Sequence, residues 1–146
     1  MSWTSGTASI ATIIQGSSYF DSNNVDTLSW LKLMQGKAAY YAILRPGPSD
    51  QTQMTIQSKL MSWRTVVEVW HRYIDDASPA GLAVYAEDIV DRLNKYPTLG
   101  GIAVQAAVTS LGDMEEVERK SGTVSSLWAR WNINVDWSEE KVITYA

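Results

Sequence analysis

Few side chains in this sequence are of the types that perform acid–base or metal chemistry. The chain has one histidine, His71, and no cysteine. No nucleophile-elbow motif accompanies the histidine, and carboxylates alone would have to supply the remaining ligands of a metal ion. The residues around His71 alternate in polarity and place it near the end of a predicted strand, on its apolar side. We interpret His71 as a packed or hydrogen-bonded strand residue.

Paired acidic residues occur at three places, each beside a predicted strand end or turn: Asp75-Asp76, Glu115-Glu116 and Glu139-Glu140. Adjacent side chains of an extended chain point to opposite sides, so these pairs are poorly placed to act as acid–base dyads. The glycines form neither a Walker pattern nor a GxGxxG motif, and therefore indicate no phosphate-binding loop. The sequence thus predicts a protein that is not an enzyme and that has no catalytic residue, metal site or cofactor.

The composition predicts one domain, spanning residues 1–146, with 45% hydrophobic and 19% charged residues. The net charge of -4 argues against a generally basic nucleic-acid-binding surface. The first residues, MSWTSGTASIATII, lack a basic region, and their apolar part is short and interrupted. We expect neither a signal peptide nor a membrane span there, and we expect a soluble intracellular protein.

A long stretch of alternating residues, SLWARWNINVDWS from Ser126 to Ser138, organises the predicted fold. Apolar residues take the odd positions and polar residues the even ones, with Trp128 as the exception. A period of two predicts a β-strand with one apolar and one polar face. At about 3.3 Å per residue the strand would be roughly 35 Å long, which exceeds the usual strand length. We expect one helix layer to leave part of it uncovered, and the overhang to meet another subunit.

Three further strands are predicted. Residues 38–44 form a short apolar run that we expect to be buried on both faces, residues 63–74 alternate like the closing strand, and residues 102–111 follow a double glycine. The stretches 48–59 and 112–122 are polar or charged and are predicted to be connections.

Two helices complete the prediction. The first is capped by Thr4 or Ser5 and ends at Gly16, and the second begins at Ser78-Pro79 and carries an amphipathic stripe. Strands that follow each other through loops usually pair antiparallel. The predicted fold is therefore α+β, with an antiparallel four-stranded sheet and two helices on one face, in the order α-β-β-α-β-β.

The tryptophans fall into two groups. Trp63, Trp131 and Trp137 lie on the helix-facing parity and are most simply core residues. Trp70 and Trp128 lie on the other parity, among arginines and asparagines, which is the composition of a protein interface. The alternative is that these two pack against each other, or under a loop, within the monomer. Base stacking on this face is a third option, which the net charge disfavours.

A predicted oligomer or partner interface combines Trp70 and Trp128 with nearby charged residues. The charged segment DMEEVERKS, Asp113 to Ser121, is interpreted either as a solvated hairpin tip or as a tip that docks electrostatically on a partner. The residues assigned to this interface are Trp70, Trp128, Arg72, Arg130, Arg45, Glu115, Glu116, Glu118, Arg119 and Lys120.

Four stretches between about Asn24 and the last residue carry a resemblance to a known family. They are AILRPGP after the first predicted strand, the long Trp- and Arg-bearing second strand, RLNKYPTLGGI at the end of the second helix, and the Trp-rich closing strand. Together with the chain length and element order, they resemble tail terminator, or tail completion, proteins of long-tailed bacteriophages of the lambda-like type.

The resemblance implies a small α+β subunit that forms a hexameric ring. Such a ring caps the tail tube, ends its polymerisation and joins the tail to the head. The implied partners are further copies of the chain, the tail-tube protein and head-tail connector proteins, and DNA passes through the lumen without sequence readout. The implied location is the head-proximal end of the virion tail, with assembly in the host cytoplasm and no membrane.

Two alternatives stay open. The chain could be another head-tail connector component with a related fold. From a different class, it could be a small-ligand-binding or enzymatic α+β domain, although the sequence shows no clustered polar constellation for such a site.

Overall fold

The computed structural model describes residues 3–29, 33, 38–47, 50–53, 58–72, 79–101, 103–121 and 123–142. Two helices lie in these ranges, α1 (Trp3–Gln15) and α2 (Pro79–Asn94). The strands are β1 (Val25–Thr27), β2 (Tyr40–Pro46), β3 (Asp50–Gln53), β4 (Ser58–Arg72), β5 (Gln105–Leu111), β6 (Glu115–Ser121) and β7 (Val124–Val142). They form one sheet, in which β1, β2, β4, β7 and β5 lie side by side in that order.

The centre of the sheet is the antiparallel pair β4 and β7. Its register runs without a shift from Ser58 opposite Val142 to Arg72 opposite Trp128. Both strands alternate largely between apolar and polar residues, so unbroken pairing keeps most of their apolar side chains on the same face, with Val66, Trp70 and Trp128 on the other. The predicted closing strand is therefore confirmed, and it continues to Val142.

The strands flanking this pair are interrupted. β2 and β3 lie along the same edge of β4, where the pairing of Pro46 with Thr65 is followed by that of Asp50 with Ser62. On the outer edge of β7, residues 112–114 separate β5 from β6, and the amide of Gly112 donates a 2.8 Å hydrogen bond to the carbonyl of Asn132. Beyond β2, the short strand β1 adds a parallel partner.

These features correct the predicted sheet. The α+β class is confirmed, but the antiparallel four-stranded sheet in the order α-β-β-α-β-β is wrong. The described residues form a mixed sheet of seven strands, because β1 pairs in parallel and because breaks divide each flanking strand in two. The predicted connections 48–59 and 112–122 contain β3 and β6, and residues 73–74 of the predicted second strand lie outside the described residues.

Both helices contribute to a hydrophobic core on one face of the sheet. Its largest buried members include Ile10 and Ile14 of α1, Ile89 of α2, and Trp137 and Ile133 of β7. The burial of odd-numbered residues from Ala129 to Trp137 confirms the predicted parity of β7.

Two side-chain contacts fix how α1 lies on the rest of the fold. The indole of Trp137 occupies the space where a Cβ at Gly6 would lie, so the missing side chain lets α1 approach the sheet closely. At the other end of α1, Nε of Arg92 donates a 2.5 Å hydrogen bond to the carbonyl of Ile13. The Ile13 carbonyl also accepts a hydrogen bond from the amide of Gly16, and the cation beside it complements the helix dipole. The helices are thus held to the sheet and to each other.

Candidate interaction face of the sheet

The sheet face that points away from the core carries arginine, acidic and aromatic side chains. Directly paired residues of neighbouring strands project to the same side of a sheet. Arg45 pairs with Val66, Glu68 with Asn132 and Trp128 with Val117, and the register places all of them on one surface. We call this surface the polar face. Its described members include Tyr41, Ile43, Arg45, Arg64, Val66, Glu68, Trp70, Arg72, Glu115, Val117, Arg119, Trp128, Arg130, Asn132, Asn134 and Asp136.

One end of the polar face is a small apolar cluster. Its buried members are Leu33, Tyr41, Ile43, Trp70 and Trp128. Only 5% of Trp70 and 1% of Trp128 is exposed, and their ring centroids lie 6.5 Å apart in an edge-to-face arrangement. Both indole N–H groups are hydrogen-bonded, that of Trp128 to Ser126 Oγ at 2.8 Å and that of Trp70 to Glu68 Oε1 at 3.2 Å.

This burial changes the interpretation of the two tryptophans. The interface assignment of Trp70 and Trp128 implies exposed rings, but the two rings pack against each other and under neighbouring residues, as in the alternative. The large aromatic surfaces that base stacking requires are also covered. Any contact made by this end of the polar face must therefore use the charged side chains around the tryptophans.

Glu68 is the centre of an ion network. It is 3% exposed, and its Oε2 accepts a 2.6 Å hydrogen bond from Nε of Arg45. Its Oε1 accepts a hydrogen bond from the indole N–H of Trp70 and lies 3.9 Å from Nη1 of Arg130. Arg130 also forms an ion pair with Glu115 through Nη2. A buried carboxylate is stable only when its lone pairs are satisfied. The network therefore joins β2, β4, β7 and β6 across the polar face.

Arginine side chains also lie over the two buried indoles. The guanidinium carbon of Arg130 lies 5.3 Å from the Trp70 ring centroid, and that of Arg119 lies 6.0 Å from it. Arg72 and Arg119 approach the Trp128 ring at 5.0 and 5.6 Å. These distances are typical of cation–π contacts. The arginines thus cover the apolar cluster and leave positive charge at the surface.

A second ion pair lies farther along the polar face. Arg64 donates two hydrogen bonds to the carboxylate of Asp136, from Nε at 2.6 Å and from Nη2 at 3.0 Å. Thr109 Oγ1 donates a third at 3.1 Å. The hydrogen bond from Arg64 is the largest influence on Asp136 and holds its carboxyl pKa below the ordinary value. Asp136 consequently stays ionised and neutralises Arg64.

Two polar atoms on this face have no partner in the described part of the chain. Nε of Arg130 and Oδ1 of Asn132 are buried and make no hydrogen bond there. A buried polar atom without a partner is costly. The polar network is therefore incomplete within the described residues.

The core side of the hairpin formed by β6 and β7 extends beyond the helix layer. Leu127 has the helix-facing parity of β7 but is 42% exposed, whereas Ala129 is fully buried. Glu116 and Glu118 share this side, because they pair with Ala129 and Leu127, and both are exposed. The sheet therefore has an overhang, here defined as residues 115–121 and 124–127.

The structure places His71 in the core. The side chain is buried, its Nδ1 lies 2.6 Å from the carbonyl of Arg72, and its ring packs against Tyr40 and Tyr85 at centroid distances of 5.6 and 4.6 Å. Burial is the main influence on the imidazole and lowers its pKa. The prediction of a packed, hydrogen-bonded strand residue is confirmed.

A cavity of about 520 Å³ lies between the loop after α1 and the start of β2. Tyr19 and Tyr40 contribute to its wall. The polar groups nearby are largely used within the loop, since Ser17 Oγ accepts from the amide of Phe20 and Asn24 Oδ1 from that of Asp21. The cavity therefore combines aromatic rings with polar side chains, several of which already make hydrogen bonds within the loop.

The ten predicted interface residues separate into four groups. Trp70 and Trp128 are buried, and Arg45, Arg130 and Glu115 belong to the Glu68 network. Arg72 and Arg119 lie over Trp128 on the polar face, whereas Glu116, Glu118 and Lys120 lie on the opposite side of β6. Sequence reasoning missed Glu68 and Asp136 as ion-pair partners. Their parity, shared with the arginines of β4, was the only available signal.

Among the described residues no group of three or more histidine, cysteine or acidic side chains could hold a metal ion. Within the same part of the chain, no helix has the length and apolarity needed to cross a membrane. Comparison with protein-family models and with curated protein sequences finds no match for this chain.

Proposed function

We propose that this protein is a structural subunit of a bacteriophage tail. A ring of copies caps the tail tube, ends its polymerisation and joins the tail to the head. The proposal begins from the resemblance of AILRPGP, RLNKYPTLGGI and the Trp-rich closing strand to tail terminator proteins. The number of six copies rests on that resemblance alone.

The overhang is the structural observation that carries the proposal. It presents an apolar side chain, Leu127, beside charged residues on a hairpin that the helices do not cover. The outer edge of β6 also has no strand partner in the described part of the chain. Exposed strand edges and apolar side chains favour association with another chain. In a closed ring the same contact is repeated between all neighbouring copies, so no copy keeps an exposed contact surface.

The polar face is consistent with passage of DNA without sequence readout. Base-specific recognition needs side chains that reach base edges or stack on bases. Here Trp70 and Trp128 are buried, and Arg45, Arg64 and Arg130 are engaged by carboxylates. We therefore assign no nucleic-acid recognition to these residues.

The test is polymerisation of tail-tube protein from the phage that encodes this chain. Adding the protein should shorten the tubes in electron micrographs and place a ring at one end of each tube. An equal amount of a heat-unfolded sample is the control. Tubes of unchanged length, with no ring at their ends, would contradict a terminator role. Binding to isolated heads but not to tubes would instead support the connector alternative.

The cavity beside α1 favours the second class of function, small-ligand binding. Its rings of Tyr19 and Tyr40, beside polar side chains such as that of Asn23, suit a small ring-shaped polar ligand. A panel of metabolites can be screened by the change in thermal unfolding temperature, because a ligand that binds only the folded state raises it. A saturable increase that Tyr19→Ala abolishes would support this function, and no increase across the panel would count against it.

A further inference from the structure

Two arginines on the polar face differ from the others in their electrostatic partners. The ion pairs among the described residues engage Arg45, Arg64 and Arg130, and none includes Arg72 or Arg119. Both instead lie over the Trp128 ring, with guanidinium carbons 5.0 and 5.6 Å from its centroid. Two guanidinium groups are thus held beside one buried indole without a neutralising carboxylate in the described part of the chain.

The two neighbouring positive charges favour binding of an anion. Arg119 is positioned by a 3.3 Å hydrogen bond from Nη1 to the carbonyl of Leu33. Burial and, next, the charge of Arg72 lower the pKa of Arg119, so the two cations repel each other. A carboxylate between them would relieve this repulsion, and guanidinium groups bind carboxylates with directed hydrogen bonds.

The overhang of the same chain carries suitable carboxylates on its other side. Glu116 and Glu118 are exposed and project from the side of β6 opposite Arg119, with the exposed Leu127 next to Glu118. Lys120 lies on the same side of β6. That side is therefore acidic towards the start of the strand and basic towards its end. This end of the sheet therefore presents an arginine pair, Arg72 of β4 and Arg119 of β6, on one side and the glutamates of β6 on the other.

We propose that the Arg72–Arg119 pair of one copy binds the Glu116 and Glu118 carboxylates of the next copy. This inference rests on the ring of the proposed function and names the contact that builds it. The arginine pair and the glutamates are different patches. Each copy therefore contacts one neighbour through its arginine pair and the other neighbour through its glutamates. Such a head-to-tail contact generates a ring or a filament, whereas a twofold contact would bring like charges together if each patch met itself. Arg130 Nε and Asn132 Oδ1, which lack partners in the described subunit, lie on the same face as the arginine pair.

Charge reversal with complementation tests the contact. Arg72→Glu and Glu118→Arg should each weaken association on the order of tenfold or more, because each places like charges opposite each other. In an equimolar mixture the two variants should recover assemblies of wild-type mass, since each reversed patch then faces its complement. Lys95→Glu and Glu87→Arg, which change the charge equally at exposed positions of the α2 region, are the matched controls and should keep the wild-type mass.

The measurements are mass by light scattering, at low and high salt, and circular dichroism for the fold. Folded single variants that keep the wild-type mass would overturn the inference, as would a mixture that does not recover it. A wild-type chain that stays monomeric at high concentration would also overturn it. None of these outcomes decides the proposed function, which is judged by the length of tail tubes. Variants that neither associate nor cap tubes would show that the proposed function requires this contact between copies.

Discussion

Glu68 of β4 accepts a 2.6 Å hydrogen bond from Nε of Arg45 of β2, although only 3% of Glu68 is exposed. Glu68→Ala should lower the free energy of unfolding by about 2–3 kcal/mol. This is below the cost of breaking a fully buried pair, because the arginines are partly exposed to water. Urea unfolding is the measurement, and Glu87→Ala on the exposed side of α2 is the control. Equal effects of the two changes would show that the network adds nothing to stability.

Trp131 tests the assignment of the helix-facing side of β7. Trp131→Ala should cost about 3–5 kcal/mol, because it leaves a large cavity in the core beneath the helices. Leu127→Ala, on the same strand and of the same parity but exposed, should stay within about 0.5 kcal/mol. Thermal unfolding of both variants gives the comparison. An unchanged midpoint for the Trp131 variant would contradict the core position.

Gly6 tests the close approach of α1 to the sheet. Alanine normally favours a helix over glycine by about 1 kcal/mol. Gly6→Ala should nevertheless destabilise the protein, since a Cβ there meets the Trp137 indole, which is itself buried. Chemical unfolding of Gly6→Ala, beside Thr4→Ala on the exposed side of α1, decides the sign. A stabilised Gly6 variant would show that the helix can move away from the sheet at little cost.

His71 should make stability depend on pH. Its folded pKa lies below the ordinary 6.5, mainly because burial disfavours the charged imidazole. The unfolded chain therefore binds the proton more readily, so the contribution is complete above that pH and is lost as the pH falls towards the lowered value. Unfolding midpoints at about pH 7.5 and about pH 5.5 should differ less in His71→Gln than in the wild type. Identical pH dependence of the two proteins would show that the imidazole has the same pKa in the folded and unfolded states.

Assembly should be unaffected by the same change. His71 is buried in the core and contacts Tyr40, Tyr85 and the carbonyl of Arg72, so we expect His71→Gln to keep the wild-type oligomer mass. A folded variant that loses assembly or tail-capping activity would contradict this structural role.

The sequence predicted those features that depend on local periodicity. The odd-numbered apolar residues of β7 and the start of α2 at Pro79 follow from strand and helix geometry, whereas the predicted cap Ser78 lies outside the described residues. The three-residue strand β1 is too short to produce a periodic pattern, and β3 and β6 lie in polar or charged stretches that show no apolar alternation, although each pairs with the next strand along the chain. Periodicity therefore found the central strands but not the edges.

The burial of Trp70 and Trp128 was missed for a related reason. Alternation assigns a side chain to a face of the sheet but does not say what covers that face. The cover comes from Leu33 and from arginines of neighbouring strands, including Arg119. Likewise, Glu68 is recognisable as an ion-pair centre only once Arg45 and Arg130 are brought beside it.

The position of β7 between β4 and β5 has a consequence for biosynthesis. During translation β4 is made long before the strand that will occupy its free edge, since residue 58 pairs with residue 142. Until then β4 exposes a long row of backbone donors and acceptors beside valines, which is a template for misassociation on the ribosome. Because these partners are distant in sequence, the sheet should also form slowly. Expression at lower temperature or with a holdase chaperone should therefore increase the yield of folded protein.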